Sequence, residues 1–270
     1  VRALGPWFPP LSVNIIRSAL GGVLLGGFVL AVHGPQAFVA PGVEVTIYLA
    51  VTMLLAVGVG DTAFFESMRR LGIARAMTIS TSYPLMAALL ALWFLGEPFT
   101  SRHALGAVFT LGGLVVIVGE RTGTTPEATG GRRRGIALAL LAALAWAASA
   151  LLIKPALHLV DPVTAQAIRL PVAALILWVT PWARGTGRRL REHGAHTWRL
   201  LAGLGALTAI SGASFILGLQ YAGVGVGSVL SSTSPLFALP IGYLAFREPI
   251  TPRATAGALL SVTGIAVVST

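Results

Sequence analysis

The sequence predicts an all-α polytopic membrane protein made of two inverted-topology repeats. Composition, the length of the apolar runs and an internal repeat carry that prediction. The chain is 55% hydrophobic and only 10% charged, with a mean hydropathy of +0.83. Soluble domains carry about 25% charged residues. Runs such as "SALGGVLLGGFVLAV" and "GIALALLAALAWAASALLI" are apolar all round. A helix of that kind, at that length, belongs in lipid. The ten-residue alternating segments of a membrane β-barrel are not visible.

A spanning helix needs about 20 apolar residues. The spans fall at 11–32, 45–67, 75–95, 103–119, 135–155, 163–183, 199–219, 227–246 and 253–269. Pro, Gly and Arg punctuate the breaks between them, as helix ends require. The chain contains no cysteine, so disulfides, thiol chemistry and cysteine-held metals do not arise.

A single ungapped offset of 151 residues superimposes much of the first half on the second. It sets Ser80 on Ser231, Pro84 on Pro235, Glu97-Pro98 on Glu248-Pro249, Thr100 on Thr251 and Gly113 on Gly264. A repeat of this length defines the architecture before any local feature does. The organisation expected is a first repeat over 1–120, an Arg/Gly-rich linker over 121–134 and a second repeat over 135–270. Five spans fall in the second half and four in the first. "WFPPLSVNIIRSALGGVLL" aligns with "LVDPVTAQAIRLPVAALIL", placing Arg17 against Arg169. The partner of the 135–155 helix is therefore expected upstream of residue 1, giving a ten-helix fold with its first helix missing and about nine spans present. Repeats with an odd number of spans insert in opposite orientations, an arrangement that builds transporter sites near the midplane.

The net charge of +10 does not point to nucleic acid, because the arginines are distributed by topology. They concentrate in "MRRLGIAR", "GERTGTTPEATGGRRRG" and "ARGTGRRLREHGAHTWR", with Arg247 and Arg253 beyond. Along these spans all such connections fall on one side, whereas "HGPQAFVAPGVE" and "YAGVGVG" on the other have none. The positive-inside rule places the arginine-rich side in the cytoplasm, with residue 1 inside and residue 270 outside.

The stretch "GDTAFFESMRRLGIARAMTISTSYPLMAALLALWFLGEPFTSRHALGAVFTLGGLVVIVGE" and its second copy "SGASFILGLQYAGVGVGSVLSSTSPLFALPIGYLAFREPITPRATAGALLSVTGIAVV" resemble the repeat of EamA-type transporters in the drug/metabolite transporter superfamily. A Pro in the fourth span, then L-G-E-P, then a Gly-spaced fifth span make up that signature; Arg247 stands in place of Gly96 in the second copy. The resemblance covers almost the whole chain. It implies ten helices in two inverted halves, a central cavity and export or exchange of small metabolites. The family usually has both termini cytoplasmic, which differs from the arginine bias here.

Asp61 is the one acid placed well inside a span, eight residues before Arg69 and so roughly 12 Å in along the helix. A charge at that depth costs at least about 2.5 kcal/mol, so it faces water or the bundle interior and has a partner or a task. Phe64, Phe65 and Met68 share its helical face. The readings are a structural ion pair or a carboxylate that binds substrate or relays protons. Arg17, roughly 9 Å into its own span, is the expected partner. Arg169 is its equivalent in the second repeat, where Gly212 replaces the acid; it either meets carbonyls, water or an anionic substrate, or snorkels to the interface.

Glu97 and Glu248 end the fourth helix of each repeat before Pro98 and Pro249; each fixes a short loop or takes part in gating. Pro84 and Pro235 are expected inside helices, where each removes a backbone hydrogen bond and leaves a carbonyl able to face a cavity. The hydroxyls of Ser80, Thr81, Ser82 and of Ser231, Ser232, Thr233, Ser234 precede them, to restore that bonding or bind substrate. Trp146 in mid-span suggests a cavity wall, since tryptophan prefers interfaces. Lys154 reads as an interface anchor, and Gly22 with Gly26 as a close-packing GxxxG.

No HExxH, GxSxG, P-loop or paired-carboxylate constellation is present. The expectation is therefore no enzyme, no cofactor and no metal. It is a carrier that moves a small, amino-acid-like or other organic solute by alternating access, in the export direction, across a bacterial inner membrane. Its partners are the solute and the lipid bilayer, with protons as the candidate coupling ion. A homodimer is compatible with this reading. The rivals are a lipid-facing enzyme or flippase accessory, which needs a lateral opening and a catalytic cluster, and a non-transporting scaffold, which needs a closed centre.

The topology gives a direct prediction. Cysteines introduced at Gly130 and Thr270 should label from opposite sides of intact cells, with Gly130 protected from impermeant reagents. Labelling of Gly130 from outside would reverse the orientation.

Overall fold

The computed structural model describes residues 7–98, 100–120, 131–180, 183–233, 236, 240 and 251–269. Among the described residues the regular elements are all helical. In chain order they are α1 (Pro10–His33), α2 (Gln36–Val39), α3 (Gly42–Met53), a π-helical stretch (Leu54–Asp61), α4 (Thr62–Leu71), α5 (Ile73–Ser80), α6 (Tyr83–Leu95), α7 (Ser101–Glu120), α8 (Arg132–Ala156), α9 (Pro162–Trp178), α10 (Thr186–Glu192), α11 (Ala195–Tyr221), α12 (Gly223–Ser231) and α13 (Pro252–Ser269).

Among the described residues, five helical stretches are long and apolar enough to cross a bilayer: Leu11–His33, Gly42–Leu71, Arg75–Leu95 (α5 and α6 together), Arg132–Ala156 and Ala195–Tyr221. Ser101–Val116 and Pro162–Trp178 are shorter apolar helices. These seven follow seven of the nine expected spans in order, and α13 lies at the ninth; most of the expected 227–246 span lies outside the described residues. Leu24, Phe28, Trp93, Phe94, Leu207 and Ile210 are exposed, as side chains that face lipid should be. Trp178 and Trp198 are also exposed near helix ends beside the arginine-rich segment 184–199, where amphipathic rings settle at the headgroup level.

Two compact units divide the chain, one made of 1–58 and 152–220, the other of 59–151 and 221–270. In the first, α1 packs on α9 through small residues. A Cβ on Gly22 would fall 2.7 Å from the Pro171 ring, and one on Gly205 in α11 would fall 2.6 Å from the Leu20 Cβ. Leu25, Val29, Ala167, Leu170 and Ala209 close one core cluster; Ile15, Met53, Val57, Ala173 and Leu177 close another. The GxxxG expectation holds for Gly22 alone, since a Cβ on Gly26 would meet nothing within 4 Å. Lys154 is more than an interface anchor. Its ammonium donates to the carbonyls of Leu219 (2.7 Å) and Gln220 (3.0 Å), capping the C-terminal end of α11, where carbonyls lack helical donors and a cation is favoured.

The second unit is organised around the repeat. Its α7 and α13 cross with their backbones in contact. A Cβ on Gly113 would strike the Gly257 carbonyl and the Ser261 hydroxyl, and one on Gly264 would strike the Gly106 carbonyl and Thr110. Each pair of contacts maps onto the other under the 151-residue offset. Ser261 Oγ donates to the Thr110 carbonyl at 3.1 Å across the seam, and Leu111, Leu114 and Ala254 are buried beside it. Glycine is needed here for proximity. In lipid no hydrophobic force draws helices together, so close packing and interhelical hydrogen bonds must do so.

Gly113→Val should therefore force α7 and α13 apart, at a cost of at least about 1–3 kcal/mol, read as a lowered thermal midpoint in detergent. Gly112→Ala, whose new methyl would find only Leu260 at 3.8 Å, should leave the midpoint unchanged. Equal effects of the two would contradict the seam.

Candidate functional site

The candidate site grows out of two matched helix interruptions in the second unit. After α5 the chain makes a tight turn at Thr81–Ser82, where Ser82 N–H bonds the Ile79 carbonyl (3.1 Å) and Leu85 N–H the Ser82 carbonyl (3.1 Å). In the second repeat Thr233 N–H bonds the Leu230 carbonyl (3.3 Å) and Leu236 N–H the Thr233 carbonyl (2.9 Å). The hydroxyls add to both: Ser82 Oγ donates to the Ile79 carbonyl and Thr233 Oγ1 to the Leu230 carbonyl, each at 2.7 Å. Thr81 Oγ1 donates to the Met77 carbonyl at 2.6 Å. These side chains re-satisfy backbone groups that lipid would leave unpaired.

One expectation is corrected at this point. Pro84 does not interrupt a helix interior. It lies in the first turn of α6, after Ser82 at the N-cap, where a missing N–H costs nothing and the fixed φ suits the helix. Its partner Pro235 lies outside the described residues, as do Ser234 and Glu248.

The helices that lead into the two interruptions start alike. Gly72 and Gly223, one repeat apart, have φ of +81° and +82°, a region that only glycine enters freely. Glu97 reaches across to the second of them. Its carboxylate accepts the Val224 N–H at 2.7 and 3.0 Å and the Gly225 N–H at 3.3 Å. An acid of one repeat thus caps a helix of the other, with charge-assisted bonds at the positive end of the dipole. A Cβ at Gly223 would sit 2.9 Å from that carboxylate, so the glycine also gives the acid its room. Tyr83 joins the repeats again: its hydroxyl lies 2.7 Å from Ser231 Oγ and donates to the Ser228 carbonyl at 3.3 Å.

Asp61 ends the π-helical stretch and stands half-buried at the start of α4. Its Oδ1 accepts the Trp146 indole N–H at 3.1 Å. The Trp146 ring meets Phe64 at 5.3 Å between centroids and Tyr83 edge-on at 6.0 Å, and Phe64 lies 6.2 Å from Phe65. One carboxylate and four aromatic rings from α4, α6 and α8 are thereby assembled, all of them partly accessible. Widened π turns recur at functional positions. Asp61, Phe64, Phe65 and Trp146 are read from the sequence; Tyr83 is not, although it sits between the hydroxyl run and Pro84.

In the first unit, Arg17 and Arg169 have matched local partners. Arg17 Nε donates to Asn14 Oδ1 at 2.7 Å, and an Arg169 Nη donates to Gln166 Oε1 at 3.3 Å. Asn14 and Gln166 are themselves equivalent in the alignment that pairs the arginines. Arg169 does not snorkel, being only 4% exposed. Gly212 packs on Gln166, whose Nε2 would lie 2.6 Å from a Cβ there. The absence of an acid at Gly212 thus has a steric reason: an aspartate would displace the amide that serves Arg169.

Helices of membrane-spanning length among the described residues, in a chain doubled internally, define a polytopic membrane protein. The EamA-like transporter family matches residues 2–119 and again residues 133–270, and this chain belongs to that family. An "uncharacterized transporter" of Archaeoglobus fulgidus is 26% identical over 232 residues, covering 83% of this chain and 78% of that protein. An uncharacterised protein of Pseudomonas aeruginosa is 29% identical over 117 residues, 42% of this chain and 39% of its own length. A protein of known crystal structure superimposes with a TM-score of 0.77 over 98% of this chain and 88% of its own, at 19% identity; that likeness bears on the fold alone.

Replacing Glu97 by Gln should weaken the cap on α12, and Glu97→Ala should remove it at a cost of about 0.5–2 kcal/mol. Gly223→Ala should cost at least as much through its φ and its contact with the carboxylate. Thermal unfolding in detergent reads both, and an unchanged midpoint in Glu97→Ala would show that the cap contributes nothing.

Proposed function

We propose that the protein is a secondary carrier that exports a small, amino-acid-like or other organic solute across a bacterial cytoplasmic membrane by alternating access. Asp61, held by the Trp146 indole within the Phe64, Phe65 and Tyr83 rings, is the observation that carries this reading. The rings offer apolar faces to an organic solute. The carboxylate, in a bilayer-spanning helix, is the group able to exchange a proton or hold a polar end of the solute. Arg17 and Arg169 belong to the same reading as residues of substrate binding or coupling, and the hydroxyl-bearing interruptions at Ser82 and Thr233 as parts of the path. Glu97 and its repeat partner Glu248 are assigned to gating, Glu97 through the helix that it caps. No element of this reading calls on bond-breaking chemistry, which favours a carrier over a lipid-facing enzyme.

A thermal-shift screen of the purified protein against amino acids and other small organic solutes comes first. The best stabiliser is then followed in proteoliposomes by two assays, accumulation driven by an imposed pH gradient and counterflow without one. Asp61→Asn should reduce gradient-driven accumulation about a hundredfold or more, the scale of one general acid–base group, while counterflow persists. Trp146→Phe keeps the ring but removes the N–H; it should lower both, since the carboxylate loses its orienting donor. Wild-type accumulation in Asp61→Asn would end the coupling assignment, and a loss of counterflow together with thermal stability would return Asp61 to a structural role.

A further inference from the structure

The end of α4 and the start of α8 bring together guanidinium groups to which the proposed function assigns no part. Arg69 and Arg70 close α4, and Arg132, Arg133 and Arg134 form the first turn of α8. The two elements are in contact. A Cβ on Gly135 would lie 2.7 Å from the Leu71 side chain and 3.0 Å from the Arg70 Cβ; one on Gly131, at φ +95°, would lie 3.2 Å from an Arg70 Nη. Only glycine allows the turn into α8 to pass this close to Arg70.

Among the described residues, Glu66 is the acid within the cluster. Glu66 holds Arg70 at 2.6 Å and Arg69 at 3.1 Å, which fixes Arg70 and leaves the Arg69 side chain 78% exposed. Arg132, Arg133 and Arg134 are all exposed. Glu66 thus has Arg69, Arg70 and Arg134 about it, with Arg132 and Arg133 exposed in the same helical turn as Arg134. Their depth is set by the helix that carries them: Arg132–Ala156 is a membrane-length apolar helix, so its first turn lies at the water–lipid boundary. Arginine forks at that level match phosphate oxygens in charge and in bidentate geometry.

We propose that this cluster is a binding site for the headgroup phosphate of an anionic phospholipid, held between α4 and α8. The headgroup complements the excess positive charge, and its acyl chains continue along the apolar flank of α8, where Leu140, Leu141 and Leu144 are exposed. Bound there, the lipid ties the helix that bears Asp61's neighbours Phe64 and Phe65 to the helix that bears Trp146.

The test is native mass spectrometry of the purified full chain in dodecyl maltoside, titrated with phosphatidylglycerol or with phosphatidylcholine of the same acyl chains. Phosphatidylglycerol should bind at least tenfold more tightly, and the preference should shrink as salt rises and screens exposed charge. With each surface arginine worth about fivefold, R132Q/R133Q/R134Q should weaken phosphatidylglycerol binding by roughly a hundredfold and leave phosphatidylcholine binding unchanged. Should that variant fail to fold or insert, R132K/R133K/R134K keeps the charge that directs insertion; it should retain the preference and its salt dependence at reduced affinity. Equal binding of the two lipids, a preference indifferent to salt, or an unchanged affinity in the glutamine variant overturns the proposal. Displacement of the lipid by millimolar glycerol 3-phosphate would assign the site to a soluble phosphate and overturn it as well.

Discussion

The carboxylate of Glu97 on the amides of Val224 and Gly225 is the interaction on which the centre of the second unit depends. A helix that begins within or beside the bilayer exposes N–H groups that no water can satisfy. Here the remedy comes from the other repeat, in the form of a full negative charge at the positive end of a nine-residue helix. That contact makes the start of α12 and the end of α6 one structural event. Downstream of it, Ser228 and Ser231 on α12 receive the Tyr83 hydroxyl, Tyr83 rests against Trp146, and Trp146 holds Asp61. A chain of contacts therefore links the membrane-edge acid to the deep one. Movement of α12 away from Glu97 would be felt at the aromatic cluster.

The interruptions in α5–α6 and after α12 show why hydroxyl residues crowd these segments. Three of them, Thr81, Ser82 and Thr233, bond carbonyls on the preceding turn, so the helix axis can tighten without stranding a backbone group in hydrocarbon. Such a segment is held by side-chain and backbone donors that share the same carbonyls. The α7–α13 seam has a different character. Its glycines bring two backbones into contact, and a close-packed surface of that kind deforms little.

The repeats are alike in scaffold and unlike in chemistry. Gly72 and Gly223 share a backbone conformation, and Ser82 and Thr233 share a hydrogen bond. The asymmetry begins where the first repeat has Asp61 and the second has Gly212. In the second, Gln166 packs against that glycine and serves Arg169, as Asn14 serves Arg17 in the first. A doubled fold thus carries one acidic cluster with aromatic walls and, in the other repeat, a buried arginine with an amide.

The sequence by itself determined the class. Apolar runs of spanning length and a 151-residue repeat are statements about solvent and symmetry, and neither needs coordinates. The grouping of Asp61 with Phe64 was legible for a similar reason, since helical periodicity puts the two on one face. Partnerships across helices were not. That Glu97 caps a helix 127 residues away, that Lys154 caps α11, and that Tyr83 completes the aromatic cluster depend on which helices pack together. Lipid gives every apolar face a similar welcome, so the choice among packings rests on backbone proximity at particular glycines and on a few polar bonds. Pro84 was misplaced on the same account. Whether a proline interrupts a helix or begins one is decided by the turn before it, and that turn is held by tertiary contacts.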